Sequence, residues 1–119
     1  MNKQNTDILC TKFPNLYDED FYFECNDGWF NLIYDLSEKI NKLMTNVKGE
    51  ARTWIEVVQV KEKFGTMRFY MSTGTEEIFE VIDEAEKESA HICEMCGNPG
   101  TTRCNGWFVT LCNDCNEKR

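Results

Sequence analysis

A chain of 119 residues has room for one ordinary domain, or for a small core with a metal-held appendage, but not for two independent cores. A hydrophobic share of 41%, with 13% aromatic residues and only two prolines, excludes a disordered or low-complexity chain. The formal charge of -8, from 21 acidic against 13 basic residues, works against nonspecific attraction to phosphate backbones and anionic lipid; it suits a basic protein partner, or solubility alone.

The opening "MNKQNTDILCTKF" lacks the apolar run of roughly 7 to 15 residues that a signal peptide needs, and nothing later approaches the ~20 apolar residues of a membrane span. The expectation is a soluble, cytoplasmic protein. Thiols stay reduced there, so closely spaced cysteines are read as a metal site before they are read as disulfides.

Residues 1 to 25 alternate between polar and aromatic, and Phe13, Leu16, Tyr17, Phe21 and Phe23 predict an arm or short strand packed on the body. From Asp27 the pattern turns helical. Trp29, Leu32, Ile33, Leu36, Ile40, Leu43 and Val47 fall on one stripe, Asp27 is placed to cap the first turn, and Lys48 and Gly49 to close the element.

"ARTWIEVVQVKEKFGTMRFYMSTG" is rich in β-branched and aromatic residues, and predicts two antiparallel strands, about 52 to 61 and 66 to 72, turning near "EKFG". Strict two-residue alternation puts Trp54, Val58 and Val60 on the core face beside Met67, Phe69 and Met71. Thr75 then opens a second helix, "TEEIFEVIDEAEKESAHI", with Ile78, Val81, Ile82, Ala85, Ser89 and Ile92 as its buried stripe. Glu76, Glu77, Glu80, Asp83, Glu84, Glu86 and Glu88 are assigned to its outer side. The helix enters Cys93 without a linker, so the cysteine module is expected to dock on the domain.

Cys93 and Cys96 form one C-x2-C pair and Cys112 and Cys115 another, fifteen residues apart, a spacing that brings four thiolates to one tetrahedral zinc ion. Gly97 suits the first knuckle, and "TTRC", "NG", "WFVTLC" reads as strand, type I′ turn and strand, the layout of a zinc ribbon. One structural Zn2+ is the expected cofactor. Four thiolates fill that site, leaving Cys10, Cys25 and Cys104 as free thiols and His91 as an exposed or capping residue near the helix end. The chain divides as an α+β domain with its N-terminal arm, 1-90, and a zinc ribbon, 91-119.

No enzyme is expected. A catalytic zinc keeps a position open for water, Glu94 and Asp114 point outward as readily as inward, the H-x-E signature of zinc deaminases is missing, and His91 is the only histidine available to a nucleophile. The basic and acidic residues from Cys93 onward cancel, so strong duplex nucleic-acid binding is not expected. An anion site is better sought on the hairpin face carrying Gln59, Lys61, Lys63, Arg68 and Tyr70, for which an ordinary solvated sheet face is the plain alternative.

The hairpin run "VKEKFGTMRFY", "ECNDGW" before the first helix and the closing "GWFVTLCNDC" resemble small, largely uncharacterised proteins encoded by bacteriophages and prophages. That resemblance covers roughly residues 15 to 115 and implies zinc binding without an activity; Cys104 departs from the shared pattern. The expected fold is α+β, helix, β-hairpin and helix with a docked C-terminal zinc ribbon. The expected function is a non-enzymatic module that binds a host or phage protein, with Glu80, Asp83, Glu84 and Trp107 as contact residues. The alternative is a binder of a small anionic ligand, such as a nucleotide signal, on the hairpin face.

Overall fold

The computed structural model describes all 119 residues. Within residues 1 to 25 the expected short strand is present only at Phe23–Glu24, and the opening residues form a helix instead. The Asn2 side chain accepts a hydrogen bond from the Asn5 amide at 2.8 Å and starts a helix, α1, Lys3–Lys12. Leu9 is the only residue of α1 that becomes buried, so no apolar stripe announces the helix. Beyond it the aromatic residues do pack inward. Tyr17, Phe21 and Phe23 form a triangle with centroids 4.8 to 5.0 Å apart, and the buried Tyr17 hydroxyl meets Ser37 Oγ at 2.6 Å.

A single 3-10 turn, Asp27–Trp29, leads into helix α2, Phe30–Met44. Asp27, expected to cap this helix, instead turns its Oδ1 to α1, accepting from the Asn2 amide at 2.8 Å and from Asn5 Nδ2 at 3.2 Å. The acid that precedes one helix therefore fastens another. The predicted stripe is buried at Leu32, Ile33, Leu36 and Ile40, and the helix ends at Met44, before Lys48 and Gly49.

Strands β1 (Phe23–Glu24), β2 (Val57–Lys63) and β3 (Thr66–Met71) form one sheet in that order, β1 parallel and β3 antiparallel to β2. The inner row across it is Phe23, Val60 and Phe69, all buried. Trp54 and Val58, expected on this face, are 64% and 58% exposed. Val57 pairs with Met71 and Gln59 with Tyr70, so Val58 is an extra residue on β2, a β-bulge that resets the alternation and lets both Val57 and Val60 face the core. Trp54 lies outside the strand altogether, in a 3-10 segment, Gly49–Trp54.

Phe64 and Gly65 join β2 to β3, with φ of +56° and +80°. Two central residues at positive φ are what a type I′ turn requires, and a phenylalanine there costs about 1 kcal/mol. Helix α3, Glu76–Ser89, starts as expected at Thr75, whose Oγ1 accepts from the Ile78 amide. Ile78, Ile82 and Ala85 pack inward, each large side chain contributing roughly 1.5–3 kcal/mol by its burial.

Helix α3 also covers the open edge of β3. The Met67 amide donates to Ser89 Oγ at 2.8 Å, and the Phe69 amide to Glu86 Oε2 at 2.9 Å. An uncovered edge invites pairing with another chain, so these two side chains satisfy donors that would otherwise template association. Glu86, assigned to the outer side from sequence, is in fact turned onto the sheet. Burial, only partly offset by the Phe69 N–H and the Arg68 charge, raises its carboxyl pKa.

A folded-state pKa above the unfolded value means that folding favours the protonated acid, a contribution present at low pH and lost as pH rises through the folded pKa. Glu86→Gln keeps an acceptor for Phe69 and removes the charge. Its melting temperature is expected to equal or exceed that of the parent at pH 7, and the difference to shrink as pH falls toward the carboxylate range. Glu86→Ala leaves the edge amide unpaired and is expected to cost about 1–2 kcal/mol at pH 7; thermal unfolding of both variants across pH measures this.

Candidate metal centre and the surfaces around it

Past α3 the chain builds a tight knuckle. The Cys93 amide donates to Asn98 O at 2.7 Å and the Gly97 amide to Cys93 O at 2.9 Å, with Gly97 at φ +85°. The second pair is held differently from the expected second knuckle. Cys112 caps a short helix, α4 (Asn113–Glu117), and Cys115 sits in its first turn, its amide donating to Cys112 Sγ at 3.4 Å.

The four sulfurs of Cys93, Cys96, Cys112 and Cys115 all lie within 4.8 Å of one another, and Cys96 and Cys112 approach to 3.6 Å. Sulfurs placed tetrahedrally about 2.3 Å from one ion would stand about 3.8 Å apart, so the group suits a metal ion. Burial opposes ionisation of Cys93, but the backbone N–H groups of Cys112, Cys96 and Met95 outweigh it and lower its thiol to about 6. Cys115 is pushed up to about 12, first by its hydrogen bond with the Cys112 sulfur and then by burial. At Cys96 the Asn98 N–H lowers the pKa, but burial and the hydrogen bonds with the Cys112 and Cys93 sulfurs outweigh it and raise it. Four sulfurs this close become thiolates together only against a cation.

Strands β4 (Thr101–Cys104) and β5 (Phe108–Leu111) span the two pairs. Cys104 pairs with Phe108, leaving a three-residue loop, Asn105, Gly106 and Trp107, in which only Gly106 has positive φ. The expected two-residue type I′ turn at Asn105-Gly106 is therefore absent, whereas the turn expected near "EKFG" is the two-residue one, at Phe64-Gly65. Trp107 becomes loop-borne and 72% exposed. Cys104 is exposed at this end; neither it nor the exposed His91 belongs to the sulfur group. Cys10 is half-buried, and burial pushes the Cys25 thiol up to about 12.

Glu94, next to the first ligand, is buried rather than exposed. Its amide donates to Thr110 O at 2.9 Å, and its Oε2 accepts from the Thr110 amide at 3.1 Å. That carboxylate is committed to β5. Asp114 remains exposed.

The knuckle is clamped to the core at Gly28, whose amide donates to Glu94 O at 2.9 Å. A Cβ at Gly28 would stand 2.1 Å from Cys93 O, so only glycine allows this approach. Beside it, buried Trp29 donates Nε1–H to Ile92 O at 3.0 Å. On the other side of the ribbon, Thr110 Oγ1 donates to Gly65 O at 2.6 Å, and Phe64 meets Phe108 edge to face at 6.2 Å. "ECNDGW" thus carries a structural role that its composition alone does not disclose; a glycine between an acid and a buried tryptophan was the available signal.

The hairpin register brings Gln59, Lys61, Lys63, Arg68 and Tyr70 to one outer face, with Gln59 opposite Tyr70 and Lys61 opposite Arg68. Arg68 leans toward Asp83 and Glu86, and its Nε has no hydrogen-bond partner. Glu80, Asp83 and Glu84 are exposed on α3, as is Phe79, with Asp83 on the flank that borders Arg68. Trp107 borders a groove of about 370 Å³ on the ribbon, lined also by Met95, Val109 and Leu111. No helix is long and apolar enough to cross a membrane. Comparison with family models, curated proteins and solved structures gives no match for this chain.

Gly28→Ala drives a methyl group into the Cys93–Glu94 peptide and is expected to lower stability by at least about 2 kcal/mol. Faster hydrogen exchange at the Glu94 and Thr110 amides would locate the damage at the clamp.

Proposed function

We propose that the protein is a non-enzymatic, zinc-binding module whose ribbon presents a fixed surface to a protein partner. Zinc is the ion that four thiolates in this spacing favour, and a full set of thiolates leaves no position for a reacting water. The buried Glu94 carboxylate is taken up by Thr110, and His91 is exposed without a nucleophile bonded to it, which fits a structural site.

The observation that carries the binding reading is Trp107. A large aromatic side chain left 72% exposed, on a loop held between paired strands and next to an apolar groove, has the character of an interface anchor. The acidic side of α3, with Glu80, Asp83 and Glu84 around exposed Phe79, suits a basic partner surface. The resemblance of hairpin and ribbon to phage-encoded proteins is what points to a host or phage protein as the target, in a counter-defence or host-takeover role within the host cytoplasm. A second reading, capture of a small anionic ligand, is favoured by the register that gathers Lys61, Arg68, Gln59 and Tyr70 on one face.

Elemental analysis is expected to find about one zinc per chain, and Cys112→Ser to reduce retention sharply; a full complement of zinc in that variant overturns the ligand set. Affinity capture from host cells is expected to recover a defined protein, with Trp107→Ala weakening recovery by about tenfold at unchanged melting temperature. Undiminished capture by the variant counts against the ribbon as the contact surface.

A further inference from the structure

The outer face of the three-stranded sheet is ordered in rows. Phe23, Val60 and Phe69 make the buried inner row, so the residues on either side of each project outward. Glu24, Lys61 and Arg68 form one outer row by direct pairing. Extending the parallel register by one residue places Tyr22 beside Gln59, whose partner on the far side is Tyr70. A second outer row is therefore Tyr22, Gln59 and Tyr70, its two tyrosines 72% and 43% exposed.

Tyr22 and Tyr70 are two strand spacings apart, about 10 Å between backbones. That leaves room for one planar group between their rings, above the Gln59 side chain. Gln59 Nε2 donates to Glu24 Oε2 at 2.7 Å, which fixes the amide and leaves its oxygen free to accept. The next row supplies Lys61 and Arg68, and Lys63 follows on β2. Aromatic faces that stack a base, a held amide at its edge and cations one row away are the components of nucleotide recognition on an open sheet.

We infer that this face binds a nucleotide unit, the base stacked on Tyr22 and Tyr70 and the phosphate held by Lys61, Lys63 and Arg68. The inference rests on the anionic-ligand reading and adds to it the aromatic pair and the third strand. Lys61 and Lys63 face Glu24 on this surface, while Arg68 stands between it and Asp83 and Glu86 of α3, so the two lysines supply the positive charge on a chain of charge -8 and Arg68 joins them at the edge. Binding should therefore be seen best at low salt, and should weaken as salt rises. The same chemistry is offered by a free nucleotide and by a single strand.

The test uses the full, zinc-loaded chain with four probes at about 50 mM salt: ATP, GTP, inorganic tripolyphosphate and a fluorescein-labelled ten-nucleotide oligothymidylate. Thermal shift reads the first three and anisotropy the last. At least one base-bearing probe is expected to bind, and Tyr22→Ala and Tyr70→Ala each to weaken it about tenfold, whereas Tyr22→Phe retains binding because the ring is what stacks. Arg68→Ala should weaken it as well. Binding of ATP or GTP identifies a free nucleotide as the source; binding of the oligothymidylate alone identifies a single strand. Tripolyphosphate binding as well as the nucleotides, unaffected by Tyr22→Ala, overturns the stacking inference while the anionic-ligand reading stands. An oligonucleotide bound equally by the parent and Tyr22→Ala also overturns it. Failure of all four probes to bind overturns both readings. Tyr22 is exposed, so its replacement tests recognition rather than folding.

Discussion

The contact on which the remainder depends is the approach of Gly28 to the Cys93–Glu94 peptide. It joins the backbone of the first cysteine of the cluster to the start of α2, and the indole N–H of the buried Trp29 extends the join to Ile92. A cysteine cluster of this size closes only a small loop of chain and has little apolar interior of its own. Here it borrows rigidity from the core through main-chain hydrogen bonds, while Glu94 passes the constraint on to β5 through both its amide and its carboxylate. The same peptide therefore belongs to the sulfur cluster, the ribbon strands and the core helix. Such sharing is why a change far from the sulfurs can be felt at them.

The second constraint is the edge of β3. A three-stranded sheet has two edges, and this one meets them unequally: β1 is only two residues long, whereas β3 is covered along its length by α3. Covering an edge with side-chain acceptors requires polar atoms on the inner side of an amphipathic helix. Ser89 and Glu86 fill that requirement, at the cost of a partly desolvated carboxylate. The result is a helix whose inner polar residues seal the sheet and whose outer acids remain free in water.

Local signals with a mechanism of their own were legible from the residues alone. Thr75 opens α3, the 3.6-residue stripes of α2 and α3 are buried, and the cysteine spacing foretells a cluster of four sulfurs. What escaped depends on partners distant in the chain. Asp27 had a credible helix to cap and was taken instead by the amide of Asn2. α1 carries too little apolar surface to show its period. The bulge at Val58 is invisible to alternation because a strand with one extra residue has the same composition as a strand without it. Asn105-Gly106 has the residues of a type I′ turn, yet the pairing of Cys104 with Phe108 fixes a loop of three. Phe64-Gly65 turns where the hairpin was expected to turn, and its bulky residue in the strained position is supported by partners from the ribbon, the edge-to-face contact with Phe108 and the hydrogen bond at Gly65.

The bulge also gives the outer sheet surface a direction. At the bulge the exposed side chain is Val58, with exposed Trp54 just before the strand, an oily end; downstream come half-buried Lys61 and exposed Lys63, a charged end. One inserted residue thus turns what would be a uniform strand into a graded one. Anything amphiphilic that lies along this surface meets opposite chemistry at its two ends, so its orientation is decided before any specific hydrogen bond forms.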